Sequence, residues 1–195
     1  MKISIVLGFF NFILIFFKLL INMSNKENQI KYLIQDYLND EGILRGKIND
    51  PKLEFGYKLS FPPGLDPGHK MNLIMPKHKD FIIISVGIQI SKDHVDALND
   101  QRMDFYMSLR KSFLLKDVFF QINIPNNRYK IDDQVFLKEN GRISKNSLYR
   151  SIKRVFNCAM FGNMLLVDFC SGKIKSEDFE KSKDFTSGSD FSLYS

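Results

Sequence analysis

Residues 53–61 carry the sequence LEFGYKLSF, in which large apolar side chains occupy every odd position and small or polar side chains every even position. Successive side chains of a β-strand point to opposite faces of its sheet. This alternation therefore predicts a strand with one buried and one solvated face. Antiparallel sheets tolerate such a solvated face, so the segments around this strand are expected to build an antiparallel sheet.

Turn residues after this strand predict that the chain folds back on itself. Pro62-Pro63-Gly64 and Asp66-Pro67-Gly68 end the strand, because proline cannot donate a hydrogen bond to a sheet and glycine permits a positive φ. Apolar runs at 71–75 and 81–90 predict a second and a third strand. Three consecutive strands joined by short turns form an antiparallel meander.

Helical signals flank the predicted strands. An S-x-x-E capping box at Ser24–Glu27 predicts the start of a helix, which ends near Glu41-Gly42. Ser91 is the expected N-cap of one helix over 91–115, and Ser144 caps a last helix that Gly162 kinks or ends.

A further pair of strands is predicted between the last two helices. Residues 118–124 and 129–137 are expected to form a hairpin whose second arm is irregular, with Asp132-Asp133 in a turn. The element order is then α-β-β-β-α-β-β-α, an α+β fold in which helices pack on an antiparallel sheet.

The two ends of the chain differ from its middle. Nineteen almost wholly apolar residues, 3–21, are just long enough to cross a bilayer as a helix. Three interpretations stay open: translation begins at Met23, the segment anchors the chain in a membrane, or it is a signal peptide. We expect a leader over 1–22, one α+β domain over 23–172 and a polar, disordered tail over 173–195. The localisation is then cytoplasmic, or membrane-anchored if the leader is retained.

Composition limits the classes of partner. Residues 23–172 carry 22 Lys and Arg against 17 Asp and Glu, a surplus too small for the footprint of a nucleic-acid-binding protein. The two cysteines, Cys158 and Cys170, would lie roughly 18 Å apart on one helix, beyond the reach of a disulfide. Free thiols favour a reducing compartment, and Cys158 is expected in the core.

The loop at 62–70 is the first candidate site. It is rigid and carries Asp66, His69 and Lys70, and we add His78 as a neighbour that could converge on the same ligand. Purely conformational demands explain the prolines and glycines of such a loop equally well. The three histidines of the chain have no metal-ligand spacing, and no metal or cofactor is predicted.

The segment 142–154 is the second candidate, because it holds basic residues and no acidic one. Arg150, Lys153 and Arg154 could meet phosphate or an acidic partner. The solvated outer face of a helix explains them equally well. Motifs of phosphate-binding loops, zinc proteases and serine hydrolases are absent, which favours a non-enzymatic protein and leaves an enzyme as the alternative.

Several patterns carry a resemblance to a known family, although they consist of apolar and turn residues rather than catalytic ones. They are Tyr37-Leu38 with Asp40-Glu41-Gly42, Glu54-Phe55-Gly56-Tyr57, Phe61-Pro62-Pro63-Gly64, and Val155-Phe156-Asn157 through Met164-Leu165-Leu166. Over residues 25–172 the chain resembles an uncharacterised archaeal family of unknown function whose fold is similar to that of type III secretion chaperones. The resemblance implies that fold and a surface able to dimerise or to hold an extended peptide.

These observations lead to one functional hypothesis and two alternatives. The hypothesis is a non-enzymatic, chaperone-like protein-interaction module that binds a protein or peptide partner, including a second copy of itself. The alternatives are a small-ligand protein or enzyme with its site near 62–70, and weak nucleic-acid binding through 142–154. A membrane enters only if residues 1–22 are retained.

Overall fold

The computed structural model describes residues 29–65, 67–139 and 141–174. The apolar segment 3–21, the capping box at Ser24–Glu27, Asp66 and the tail from residue 175 onward lie outside these ranges. In the described part of the chain, no helix combines the length and the apolar character needed to span a membrane.

Six strands form one antiparallel sheet. They are β1 (Leu44–Lys47), β2 (Leu53–Phe61), β3 (His69–Pro76), β4 (Phe81–Gln89), β5 (Phe119–Asn123) and β6 (Arg128–Phe136). Their order across the sheet is β1-β2-β3-β4-β6-β5, so β1 and β5 are the two edges. The predicted meander is confirmed, because β2, β3 and β4 are consecutive in the sequence and adjacent in the sheet.

The helices lie at the predicted places. They are α1 (residues 29–40), α2 (Lys92–Leu98), α3 (Arg102–Leu115) and α4 (Lys145–Cys170). The Ser91 hydroxyl accepts a hydrogen bond from the His94 amide at 3.4 Å, and the Ser144 hydroxyl accepts one from the Ser147 amide at 3.1 Å. Both predicted serine caps are therefore confirmed, and so is the predicted α+β class.

Four local predictions differ from the structure. Strand β1 was not predicted, because four residues carry too little pattern to be recognised before they pair with β2. A 3₁₀ turn at Asn99–Gln101 divides the helix predicted over 91–115. Strand β6 is continuous, so the predicted irregular arm and the turn at Asp132-Asp133 are wrong. Helix α4 continues through Gly162 as far as Cys170.

The chain divides into two compact units, each with buried side chains of its own. The described residues of the first unit are 29–65, 67–83, 134–139 and 141–150, and its core includes Ile34, Leu38, Tyr57, Leu59 and Leu73. Those of the second unit are 84–133 and 151–174, and its core includes Phe105, Leu109, Phe113, Ile131 and Val155. The single-domain boundaries 23–172 stay a prediction.

Candidate functional site: an apolar helix face

Helix α3 carries apolar side chains on two opposite sides. Phe105, Leu109 and Phe113 follow one another at four-residue spacing and are fully buried. On the other side Met103, Met107 and Leu114 expose 53%, 55% and 65% of their surface. At 3.6 residues per turn these three lie within about 40° of one another and point away from the buried row. Solvent therefore faces an apolar stripe that the core does not use.

Helix α4 repeats this arrangement in its second half. Val155, Ala159 and Leu166 are buried, whereas Phe161, Met164 and Val167 expose 39%, 61% and 54% of their surface. The exposed residues follow at three-residue spacing and form a second stripe on the outer side of the helix.

The two helices pack against each other in antiparallel directions. The rings of Phe105 and Phe169 meet edge to face with their centroids 5.9 Å apart. Further along, a Cβ atom on Gly162 would lie 3.3 Å from the Leu109 Cδ2 atom. As α3 advances from residue 105 to 109, its partner positions on α4 therefore run back from 169 to 162. Phe105 and Leu109 belong to the buried row of α3, so the stripe of Met103, Met107 and Leu114 lies on the side of α3 that faces away from α4.

We call the exposed stripes of the two helices the apolar helix face. Its residues are Met103, Met107, Leu114, Phe161, Met164 and Val167. Eleven large apolar side chains are exposed among the described residues, and these six are joined by Leu115 and Phe119 near the same helix. Only three lie elsewhere in the described part of the chain: Tyr32, Leu65 and Phe136. Exposed apolar surface among the described residues is thus concentrated on the second unit, and such concentration is typical of a protein that has an interaction site.

Cations border the apolar helix face. Arg110 and Lys111 are exposed on α3. Lys153 is exposed on α4, eight residues before Phe161. A nearby acidic residue on α4, Asp168, has its carboxylate 3.5 Å from the Lys173 ammonium group. Carboxylates border the face as well, because Asp104 directly follows Met103 and exposed Asp100 lies three residues before it. Charges of both signs are therefore available to a partner.

A buried polar cluster links β6 to α4. The Ser151 hydroxyl donates to the Asp133 carboxylate at 2.6 Å, and an Arg154 nitrogen lies 3.6 Å from the same carboxylate. Cys158, one turn further along α4, is 3% exposed. Burial raises the pKa of the Cys158 thiol above its ordinary value, so the thiol is neutral near pH 7. This position suits packing and not nucleophilic attack.

The structure does not bring the residues of the first predicted site together. His69 and Lys70 begin β3, whereas exposed His78 lies beyond its other end with a φ of 58°. At about 3.3 Å per residue the seven steps from His69 to Pro76 alone span roughly 23 Å, so the two histidines are too far apart to share a small ligand. Lys70 instead lines a groove of about 500 Å³ with Arg45 and Lys58. In the described part of the chain, no group of acidic, histidine and cysteine side chains could hold a metal.

The second predicted site is partly engaged by carboxylates. Arg150 and Lys153 are exposed on α4, but Arg154 lies beside Asp133. In the same segment the Lys145 ammonium group lies 3.0 Å from Glu41 and 3.3 Å from Asp40. A hydrogen bond to Glu41 raises the pKa of Lys145, which keeps the ion pair charged. Two of the cations that could contact phosphate are thus already paired.

Sequence analysis missed the apolar helix face. The apolar periodicity over 91–115 predicts a helix with one buried side. It does not by itself distinguish the second stripe, at residues 103, 107 and 114, from that buried side. Its signal was present in the sequence as apolar residues at i, i+4 and i+11 on one side of the helix.

Comparisons with other proteins place the chain in a family. A family model described as "Uncharacterized conserved protein (DUF2299)" matches residues 30–166. The solved structure of an uncharacterized protein from Methanothermobacter thermautotrophicus is 25% identical and superposes with a TM-score of 0.62, covering 71% of this chain and 96% of that one. The ExsC-ExsE complex is similar at 12% identity and a TM-score of 0.49, covering 71% of this chain and 94% of that one.

No curated protein matches the chain. The resemblance to an uncharacterised archaeal family is confirmed by the first two comparisons, which together cover both units of the structure. The chain therefore belongs to the DUF2299 family.

Proposed function

We propose that this chain is a non-enzymatic protein-interaction module that binds an apolar segment of a protein partner on the apolar helix face. The observation that carries the proposal is that α3 and α4 each present an outer apolar stripe turned away from the core. Burying a large apolar side chain contributes about 1.5–3 kcal/mol, so a partner that covers several of the six gains substantially.

The composition of the face supports a partner with an adaptable sequence. Three of its six side chains are methionines, and flexible thioether side chains fit apolar partners of different shape. The exposed side chains of Arg110, Lys111 and Lys153 can pair with acidic residues that flank the apolar ones in a partner.

Site-specific photocrosslinking tests the proposal. A photoreactive residue replaces Met164 in the full chain, and its crosslinks are compared in cells with those from the exposed position Asn72 on β3. We expect discrete adducts of higher mass from position 164 only. The additional substitution Val167→Glu, on the same stripe of α4, should abolish them, and since Val167 is exposed it should change the free energy of unfolding by less than about 0.5 kcal/mol.

The proposal is wrong if position 164 yields no intermolecular adduct, or if its adducts survive Val167→Glu. An adduct of twice the chain mass would identify a second copy as the partner. Light scattering of the full chain at high micromolar concentration checks that case, because a homodimer would dissociate in the Val167→Glu variant.

The two alternatives stay predictions, each with its own test. Nucleic-acid binding through Arg150 and Lys153 would weaken steeply as salt concentration rises and would be lost in a double substitution to serine. Ligand binding near residues 62–70 would require His69 without His78, given their separation along β3. Docking on the apolar helix face would be insensitive to both sets of changes.

A further inference from the structure

Cations cluster on the outward side of β1, β2 and β3 in the first unit. Lys58 of β2 and Lys70 of β3 are exposed, and Arg45 is exposed on β1 where the register of its pairing with β2 shifts. Ser60 pairs with Lys70, and Lys58 pairs with Asn72, so the two lysines are diagonal neighbours roughly 7 Å apart. Because successive side chains of a strand alternate between faces, these residues project away from the buried row of β2.

The same residues line the groove of about 500 Å³ that was described above for Lys70. Pro67 and Gly68 border it, and the chain approaches β2 closely at this point. A Cβ atom on Gly68 would overlap the Ser60 hydroxyl oxygen. Glycine at position 68 therefore lets the chain come down onto β2 without displacing the hydroxyl from the groove.

The Ser60 hydroxyl is a buried polar group without a partner. Ser60 is 8% exposed, and its hydroxyl makes no hydrogen bond with any other described residue. Buried polar groups in proteins are nearly always hydrogen-bonded, to protein atoms or to a bound molecule. The hydroxyl at the floor of the groove thus indicates a group that arrives from outside the chain.

The charges of the groove also lack compensation. Within the described ranges, none of Arg45, Lys58 and Lys70 forms an ion pair. Arg45 Nη1 donates to the carbonyl oxygens of Gly42 at 2.8 Å and Leu44 at 3.1 Å, which positions the guanidinium group and leaves Nη2 and Nε for another acceptor. Like charges on neighbouring strands repel each other, so an anion between them stabilises the cluster.

We propose that this groove binds the phosphate group of a small, soluble phosphomonoester. Three cations match the double charge of a phosphate better than the single charge of a carboxylate, and a guanidinium group suits its planar array of oxygens. The Ser60 hydroxyl and the Asn72 amide add neutral donors. A groove of about 500 Å³ exceeds the needs of one phosphate ion, so its remaining volume admits the organic group of the ester.

This site differs from the two discussed above. It lies in the first unit and does not depend on the apolar helix face, so either proposal can fail without the other. It also differs from a site built on His69, because His69 directly precedes Lys70 on β3 and therefore projects from the opposite face.

Amide NMR of the full chain during titration with inorganic phosphate tests the proposal. The titration is carried out at about pH 8, where phosphate is a dianion, and chloride holds the ionic strength constant. Saturating shifts are expected for the amides of Lys58, Ser60, Lys70 and Asn72. Phenyl phosphate should bind at least as tightly as inorganic phosphate, because the groove has room for its ring.

Two variants and one control identify the binding groups. Lys58→Gln/Lys70→Gln should weaken phosphate binding by at least about tenfold. Ser60→Ala retains every charge and should weaken it by about fivefold. The control Lys77→Gln/Lys79→Gln removes the same net charge from exposed positions beyond the other end of β3, and it should leave the affinity nearly unchanged.

Any of four results would overturn the inference: shifts that do not saturate, equal weakening in both lysine variants, unchanged affinity in Ser60→Ala, or exclusion of phenyl phosphate. Lipid headgroups are another source of the same phosphate chemistry. Vesicles that contain phosphatidic acid should therefore not sediment with the chain. Sedimentation that is lost in Lys58→Gln/Lys70→Gln would assign the groove to a membrane surface and overturn the soluble ligand.

Discussion

Asp133 shows how one residue depends on its tertiary partners. Its side chain is buried in the middle of β6, where the Ser151 hydroxyl donates to it at 2.6 Å and Arg154 lies 3.6 Å away. Removing a buried acceptor leaves its donors without compensation, which costs about 1–3 kcal/mol. We therefore expect Asp133→Ala to lower the free energy of unfolding by about 2 kcal/mol in urea denaturation.

The matched control for Asp133 is Ser151→Ala, which removes one donor and should cost about 1 kcal/mol. Because the two residues share one hydrogen bond, the double variant should lose less than the sum of the single losses. Additive losses would show that the two side chains stabilise the fold independently.

Cys158 provides a pH-dependent prediction at the same scale. Burial raises the pKa of its thiol, which lowers the fraction of reactive thiolate near neutral pH. In a Cys170→Ser background, Cys158 should react with a thiol reagent much more slowly in the native chain than in urea. Native reactivity should rise with pH only above the ordinary thiol range. Rapid native reaction at pH 7 would instead indicate an accessible, activated cysteine.

Helix α4 depends on a glycine at the point where it crosses its neighbours. A Cβ atom on Gly162 would overlap the Tyr129 hydroxyl oxygen and lie 3.3 Å from Leu109. Alanine normally favours a helix over glycine by about 1 kcal/mol, but overpacking a core costs about 1–3 kcal/mol. Gly162→Ala should therefore destabilise the chain, as measured by its urea midpoint.

The phenylalanine variant of Tyr129 is the control for this explanation. Tyr129→Phe removes the oxygen that the new methyl group would meet. Gly162→Ala should consequently be tolerated better in the Tyr129→Phe background than in the native chain. Equal losses in both backgrounds would assign the effect of Gly162→Ala to Leu109 or to the helix itself.

At the scale of the whole molecule, the strand order predicts a pattern of protection. Strands β2, β3, β4 and β6 each have a neighbour on both sides, whereas β1 and β5 have one. Amides bonded within the middle of a sheet exchange only when larger parts of the structure open. In native-state hydrogen exchange, β3 and β4 should therefore be protected longest and β1 least. Protection of β5 equal to that of β4 would show that its open edge is covered.

Local patterns in the sequence determined much of this fold. The alternation over 53–61, the turns after it and the serines at 91 and 144 predict β2, the meander and two helix caps. These features depend on backbone chemistry within a few residues, so they are legible without knowledge of the rest of the chain. The same holds for the burial of Cys158, which follows from its place in an apolar helical row.

Tertiary structure alone decided the sheet order, the short edge strand β1 and the straight course of β6 through Asp132-Asp133. It also decided which apolar stripe of α3 is buried. Periodicity states which residues share a side of a helix, but not which side receives a neighbour. Phe105, Leu109 and Phe113 are covered because β6 and α4 supply Tyr129 and Phe169 against them. Met103, Met107 and Leu114 have no such neighbour in the described structure, and their exposure creates the candidate site.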